Sequence, residues 1–289
     1  FASMLEEELG VTISVVNQGG ASGSIGCATV LDAAPDGYTL LFMADSLGTQ
    51  RVMGLSDISY DDFTPIMAVA DDPKIIVVAK DSPYQTLGEL VDALRSGQDK
   101  HQVKISYTGP GGSGHVQSLI YNGAGLSMSL IAYSSGSECL LALMSGQVDF
   151  TNANLSTAVG YIESGELRLL GVCASQRLEA YPEVPSLTEI LPETADYMSL
   201  PFTPLSLLVA KDTPDDVVET LRSAAAKAVL HDDWLDYCES NSLTKLYELY
   251  KTPEETVEFY HRWESSVSWL LYDCGAAQYS PEQFGIARP

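Results

Sequence analysis

Positive charge is scarce in this chain: 15 lysines and arginines stand against 39 acidic residues among 289, a formal net charge of −24. No Lys/Arg cluster interrupts the acidity, so a phosphate backbone has nothing to bind it and nucleic acid is excluded as a partner. An anionic membrane surface is disfavoured for the same reason. Long apolar runs are also missing; none approaches the ~18–20 residues of a membrane span. The five cysteines, Cys27, Cys139, Cys173, Cys238 and Cys274, form no C-x-x-C pair, and an odd number cannot all pair within one chain. They read as small buried apolar residues, with one disulfide between Cys238 and Cys274 as the alternative. Besides His115 only His101, His231 and His261 occur, none of them in H-E-x-x-H or in a Cys/His cluster. Neither a metal site nor a cofactor is expected from them, and His231 and His261 read as exposed helical residues.

An initiator methionine and a signal peptide are lacking as well. Phe1–Gly10 reads as the second half of an amphipathic helix stopped by a C-terminal glycine, which suggests a processed or truncated start.

What is present suits a globular protein. Hydrophobic residues make up 45%, enough for a substantial core, and the length fits two domains of ~100–200 residues. Val11–Val16 is a β-branched strand candidate, followed by the glycine-rich stretch Asn17–Ser24 and a small-residue helix from Ile25 to Ala34. After an Asp36-Gly37 turn, Tyr38–Met43 is continuously apolar, the pattern of a parallel strand buried on both faces. Strand, loop, helix and strand in that order make a βαβ unit and an α/β class. The order recurs with strand Val103–Tyr107, glycine loop Thr108–Gly114 and helix His115–Asn122.

Ala79-Lys80-Asp81-Ser82-Pro83 is echoed by Ala210-Lys211-Asp212-Thr213-Pro214; each ends an apolar strand and precedes an amphipathic helix (Thr86–Leu94 and Pro214–Leu230). One reading is ordinary strand–turn–helix capping. The other is a pair of hinge crossings, making residues 81–205 an inserted lobe and residues 1–80 plus 206–289 the other lobe.

The two glycine loops share one chemistry. A helix start exposes backbone N–H groups at the positive end of the macrodipole, and glycine lets an anion approach them without any basic side chain. Nucleotide motifs fail: there is no G-x-x-x-x-G-K-[ST], and Gly20, Gly23 and Gly26 do not space as G-x-G-x-x-G. Gly111-Gly112-Ser113-Gly114-His115 is not a G-x-S-x-G elbow, so Ser113 reads as a cap or ligand hydroxyl rather than a nucleophile. No catalytic set can be assembled.

At these residues the chain resembles the substrate-binding proteins of tripartite tricarboxylate transporters, the Bug proteins. The resemblance is carried by Val16–Gly26, Ala33–Leu41, Gly112–His115, Tyr133 with Gly136, Leu143–Asp149, Ser164–Arg168 and Tyr181–Glu189, in the family's order along nearly the whole chain. It implies an α/β, two-lobed type II periplasmic-binding-protein (Venus flytrap) fold with a hinged interdomain cleft. It also implies an extracytoplasmic solute receptor, periplasmic or a cell-surface lipoprotein, that takes a small carboxylate and delivers it to membrane permease subunits. Against the family pattern, the first strand and its ligand loop are not in this sequence. The family's Pro-Tyr-Lys-Gly segment has become Ala132–Gly136, without its cation, and Ala44-Asp45-Ser46 brings in an acid. Beside a ligand, that acid favours an ammonium and repels a second carboxylate, hence an amino-acid-like ligand.

Carried over position by position, the ligand contacts are Gly20, Ser22, Gly23, Asp45 and Ser46 in the first lobe. In the second they are Thr108, Gly109, Ser113, His115, Tyr133 and Asp149. Asp149 also reads as a structural turn residue, Tyr133 as a half-buried strand aromatic and His115 as a helix-cap neighbour. A ligand-dependent sensory partner and an α/β enzyme acting on a small carboxylate are the competing functions.

Overall fold

The computed structural model describes residues 1–96, 102–198 and 200–289; His101 lies outside them. The described strands are β1 (Leu41–Met43), β2 (Phe63–Asp71), β3 (Lys74–Ala79), β4 (Lys104–Tyr107), β5 (Ser129–Ala132), β6 (Phe150–Asn154), β7 (Leu167–Val172), β8 (Pro204–Ala210) and β9 (Thr244–Lys245). The chain divides into two compact units, Phe1–Asp71 with Pro204–Pro289, and Asp72–Thr203. No helix among the described residues is long and apolar enough to cross a membrane.

Unit 1 is built on an antiparallel sheet ordered β1-β8-β2-β9. Ile66, Val69, Leu207 and Val209 present one face to Val218, Leu221 and Ala225 of helix Asp215–Ala228, with Leu5 of helix Ala2–Leu9 and Trp234 in the same cluster. The helix Pro253–Asp273, capped by Thr252 and Glu255, packs on β2 and on the 3-10 turn Asp45–Thr49.

Unit 2 carries a mixed sheet ordered β5-β4-β6-β3-β7, with β4 parallel to β5 and β6, and β3 antiparallel to β6 and β7. Ile75 and Val77 turn one way, toward Leu140 and Leu143 of helix Gly136–Met144 and Leu155 and Ala158 of helix Leu155–Glu163. Ile76 and Phe150 turn the other way, toward Leu87 and Leu90 of helix Leu87–Ser96 and Tyr121 of helix Ser113–Gly123. The alternation of a strand's side chains sorts the two faces.

The α/β class holds, but four expectations are corrected. The unit boundaries fall at Asp71/Asp72 and Thr203/Pro204, not at 80/81 and 205/206, because β3 pairs with β6 and β7 and so belongs to unit 2. The two Ala-Lys-Asp-Ser/Thr-Pro stretches are therefore not crossings. Each is a tight turn inside its own unit, closed by Ser82 N–H to Ala79 O (2.9 Å) and Thr213 N–H to Ala210 O (3.1 Å). At the true boundary Asp72 is buried, and its carboxylate accepts from Asn154 Nδ2 (3.1 Å) and from the Ser156 N–H (3.3 Å), capping helix Leu155–Glu163.

Among the described residues Val11–Val16 joins no strand ladder, and Val11, Val15 and Val16 are exposed. The apolar stretch 38–43 shortens to β1, antiparallel to β8, with Tyr38 and Phe42 facing solvent. Apolar composition alone therefore misread an open edge as a strand covered on both faces. All five cysteines are free; Cys238 is buried while Cys274 is exposed, so the alternative disulfide is absent. His231 pairs with Glu8 (3.0 Å) and His261 with Asp61 (2.9 Å).

Candidate functional site

In unit 1 the first glycine loop is wound against the usual handedness. Gly20, Ala21, Ser22 and Gly23 have φ of 122°, 45°, 50° and 90°. Two successive non-glycine residues in the left-handed region cost roughly 1–2 kcal/mol each, so neighbouring contacts must hold this turn. Gln50 provides them: its buried Nε2 donates to Ser22 O (2.8 Å) and to Ser46 O (3.1 Å). A Cβ added at Gly23 would sit 3.3 Å from Ser46 Oγ, so the loop lies directly on the turn that carries Asp45 and Ser46. Gly20, Ser22, Gly23, Asp45 and Ser46 are thus brought together. Helix Ser24–Asp32 starts at Gly23 with no side-chain cap.

The long helix positions that turn from beneath. Ser268 Oγ donates to Gly48 O (3.1 Å), and a Cβ at Gly48 would meet the Trp263 ring at 2.8 Å. Arg51 pairs with Glu264 at 2.8 Å; burial pushes the Glu264 carboxyl up, opposed by that guanidinium. Asp45 is only 8% exposed and lies near enough to Tyr60 to help raise its hydroxyl, which burial alone already pushes well up. Nothing in the sequence signalled Gln50, because its two carbonyl partners are 28 and 4 residues away along the chain.

In unit 2 the second loop follows β4. Gly109 and Gly111 have φ of 79° and 81°, and helix Ser113–Gly123 starts at Gly112 with no side-chain cap. A Cβ at Gly114 would press on Tyr107 Cβ at 3.3 Å, so the loop hugs the strand end. His115 reaches back: its Nδ1 accepts from Gly111 N–H at 3.1 Å and its ring stacks on Tyr107. Burial lowers the His115 pKa, favouring the neutral ring that can accept. Thr108, Gly109, Ser113 and His115 therefore share one loop, with Ser113 buried.

Two predicted contacts stand apart from this loop. Tyr133 joins it only by its main chain, donating to Tyr107 O (2.9 Å); its ring packs on the unit 2 core and its hydroxyl donates to Gln147 (3.1 Å). Asp149 lies at the opposite end of β4, where its carboxylate accepts from Lys104 N–H at 2.7 Å. Four residues of strand separate that point from Thr108, about 13 Å at ~3.3 Å per residue. The structural-turn reading of Asp149 holds for this carboxylate.

Both loops have the same construction: an uncapped helix start behind positive-φ glycines, the arrangement that takes an anion through main-chain N–H groups. The family Tripartite tricarboxylate transporter family receptor matches residues 1–249. The chain belongs to this family. It is 26% identical over 242 residues to a UPF0065 protein of Bordetella pertussis, covering 83% of this chain and 73% of that protein. Among solved structures it is similar to the periplasmic binding protein BugD, with a TM-score of 0.86 at 23% identity over 96% of this chain and 91% of the other. MatC of Rhodopseudomonas palustris with bound malate gives a TM-score of 0.82 at 22% identity, covering 93% and 91% of the two chains. Rpa4515 of R. palustris with adipate gives 0.84 at 20%, covering 96% and 91%. At these identities the likeness establishes the fold, that of the periplasmic binding proteins.

Proposed function

We propose that this receptor captures a small carboxylate outside the cytoplasm and delivers it to the membrane permease subunits of a tripartite tricarboxylate-type transporter, without transforming it. The family match across residues 1–249 carries this reading. The glycine loops support it, because each offers main-chain donors suited to a carboxylate in a protein with little positive charge to give. Malate and adipate bound in two proteins of the same fold support a small carboxylate as the ligand class. Asp45, next to Ser46 in the turn that the first loop lies on, favours an ammonium on the ligand and supports an amino-acid-like member of that class.

A thermal-shift screen tests this. Malate, adipate, aspartate and glutamate are compared with phosphate and nucleotides; a true ligand at 100-fold excess over its Kd stabilises by ~2.7 kcal/mol. One narrow group of carboxylates should raise Tm. A shift with phosphate or nucleotides and none with carboxylates overturns the reading.

A further inference from the structure

We propose that Lys74, with Gln117 and Asn152, forms a carboxylate-end subsite within unit 2, supplying the positive charge that the glycine loop itself lacks. The proposal deepens the receptor reading above and rests on it.

The argument begins with the placement of Lys74. It opens β3, and β3 runs antiparallel to β6, which is parallel to β4. The start of β3 therefore lies at the end of the sheet where β4 runs into the Thr108–Gly114 loop. Lys74 stands opposite Asn154, and Ile76 stands opposite Asn152. Paired residues and residues two apart share a face, so Lys74, Asn152 and Ile76 all turn toward helix Ser113–Gly123. Tyr121 of that helix confirms the face: its hydroxyl donates to Asn152 Oδ1 (2.9 Å) and lies 3.3 Å from Cys173 Sγ. Cys173 in turn donates its N–H to Lys74 O (2.8 Å). Gln117 sits one turn before Tyr121, on the same side of the helix and nearer the loop.

The second part of the argument is what these groups lack. Lys74 is 8% exposed, Asn152 7% and Gln117 0%. Both polar atoms of the Gln117 amide and the Asn152 Nδ2 are enclosed with no hydrogen-bond partner. Buried amides are ordinarily satisfied, and leaving one unmade costs about 1–3 kcal/mol. Among the described residues no carboxylate pairs with Lys74; Asp72, the nearest acid in sequence, is engaged by Asn154 and Ser156. The Cys173 thiol is no substitute, since burial pushes its pKa up to about 12 and keeps it neutral. The set is rich in donors: the Lys74 ammonium and the NH2 groups of Gln117 and Asn152 outnumber the one amide oxygen left without a partner, Gln117 Oε1. A carboxylate oxygen is the complement of that set.

Calorimetric titration with malate, adipate and aspartate tests this on the full chain. Lys74→Met should weaken the best of the three roughly tenfold to hundredfold, the loss of a charge-assisted bond. Lys74→Arg should retain most of the affinity. Gln117→Leu leaves the charge in place and should weaken binding about threefold to tenfold; it also decides the matter if Lys74→Met fails to fold. Wild-type affinity in Lys74→Met, or in Gln117→Leu, overturns the subsite while leaving the receptor reading intact. Absence of binding of all three probes to the wild-type chain overturns both.

Discussion

The Gly111 N–H donates to Nδ1 of His115 at 3.1 Å, so the second anion loop is closed by a histidine that must be neutral to accept. Burial sets the His115 pKa below its ordinary value of 6.5. A folded-state pKa depressed in this way contributes stability above the unfolded value that is lost as pH falls through the folded one. Tm and carboxylate affinity should therefore hold near pH 7 and decline below 6.5. His115→Ala should cost about 1 kcal/mol and flatten that dependence. A ring that titrates at or above 6.5, read by NMR, would contradict the arrangement.

Gln50 holds the first loop to the turn bearing Asp45 and Ser46 through two donations from one amide nitrogen. Gln50→Ala removes both, although Ser46 O keeps its donation from Thr49 Oγ1 (3.0 Å); the expected cost is about 1–3 kcal/mol in urea unfolding. Ligand affinity should fall with it, since the strained Ala21-Ser22 turn loses its tie. Full affinity in the variant would show that the turn is held by other contacts.

Gly23→Ala tests the same loop by steric means. The substitution places a Cβ at φ 90° and 3.3 Å from Ser46 Oγ. The backbone alone costs roughly 1–2 kcal/mol. Gly160→Ala, in open space within a helix, is the control and should leave Tm unchanged or raised.

Asp45→Asn separates charge from shape. Asn keeps the local hydrogen-bonding geometry and removes the acid. The variant should lose affinity for aspartate by an amount on the order of 1.5–3 kcal/mol, gain affinity for malate, and show little change in apo Tm. Unchanged selectivity in calorimetry would reduce Asp45 to a turn residue.

Glu189 closes the capping box with Ser186 and pairs with Arg177 at 2.6 Å, which holds its carboxyl down at about 2. Its contribution is present above the unfolded value and fades as pH falls toward 2. The Tm gap between wild type and Glu189→Gln should therefore be widest above pH 5 and close on acidification. A gap independent of pH would mean that the charge is not what Glu189 contributes.

Much of this molecule is set by neighbours in sequence. Gly10 ends the first helix in the left-handed conformation, Thr252 and Glu255 start the last long one, and Gly109 and Gly111 turn the second loop, because each effect acts within a few residues. The family resemblance rests on the same short stretches. The tertiary structure decided what strand propensity leaves open: a β-branched segment states that it can extend, not which partner it meets. Among the described residues Val11–Val16 met none, β1 lay antiparallel on β8, and β3 took its partners from unit 2 and moved the boundary to Asp71/Asp72. Asp149 was drawn to the far end of β4 by Lys104, while Gln50 acquired its place at the first loop, and Lys74 its place at the opposite end of the unit 2 sheet from Asp149, only when distant backbone came to them. Those positions depend on long-range pairing, whose free energy belongs to two segments at once and is written in neither alone.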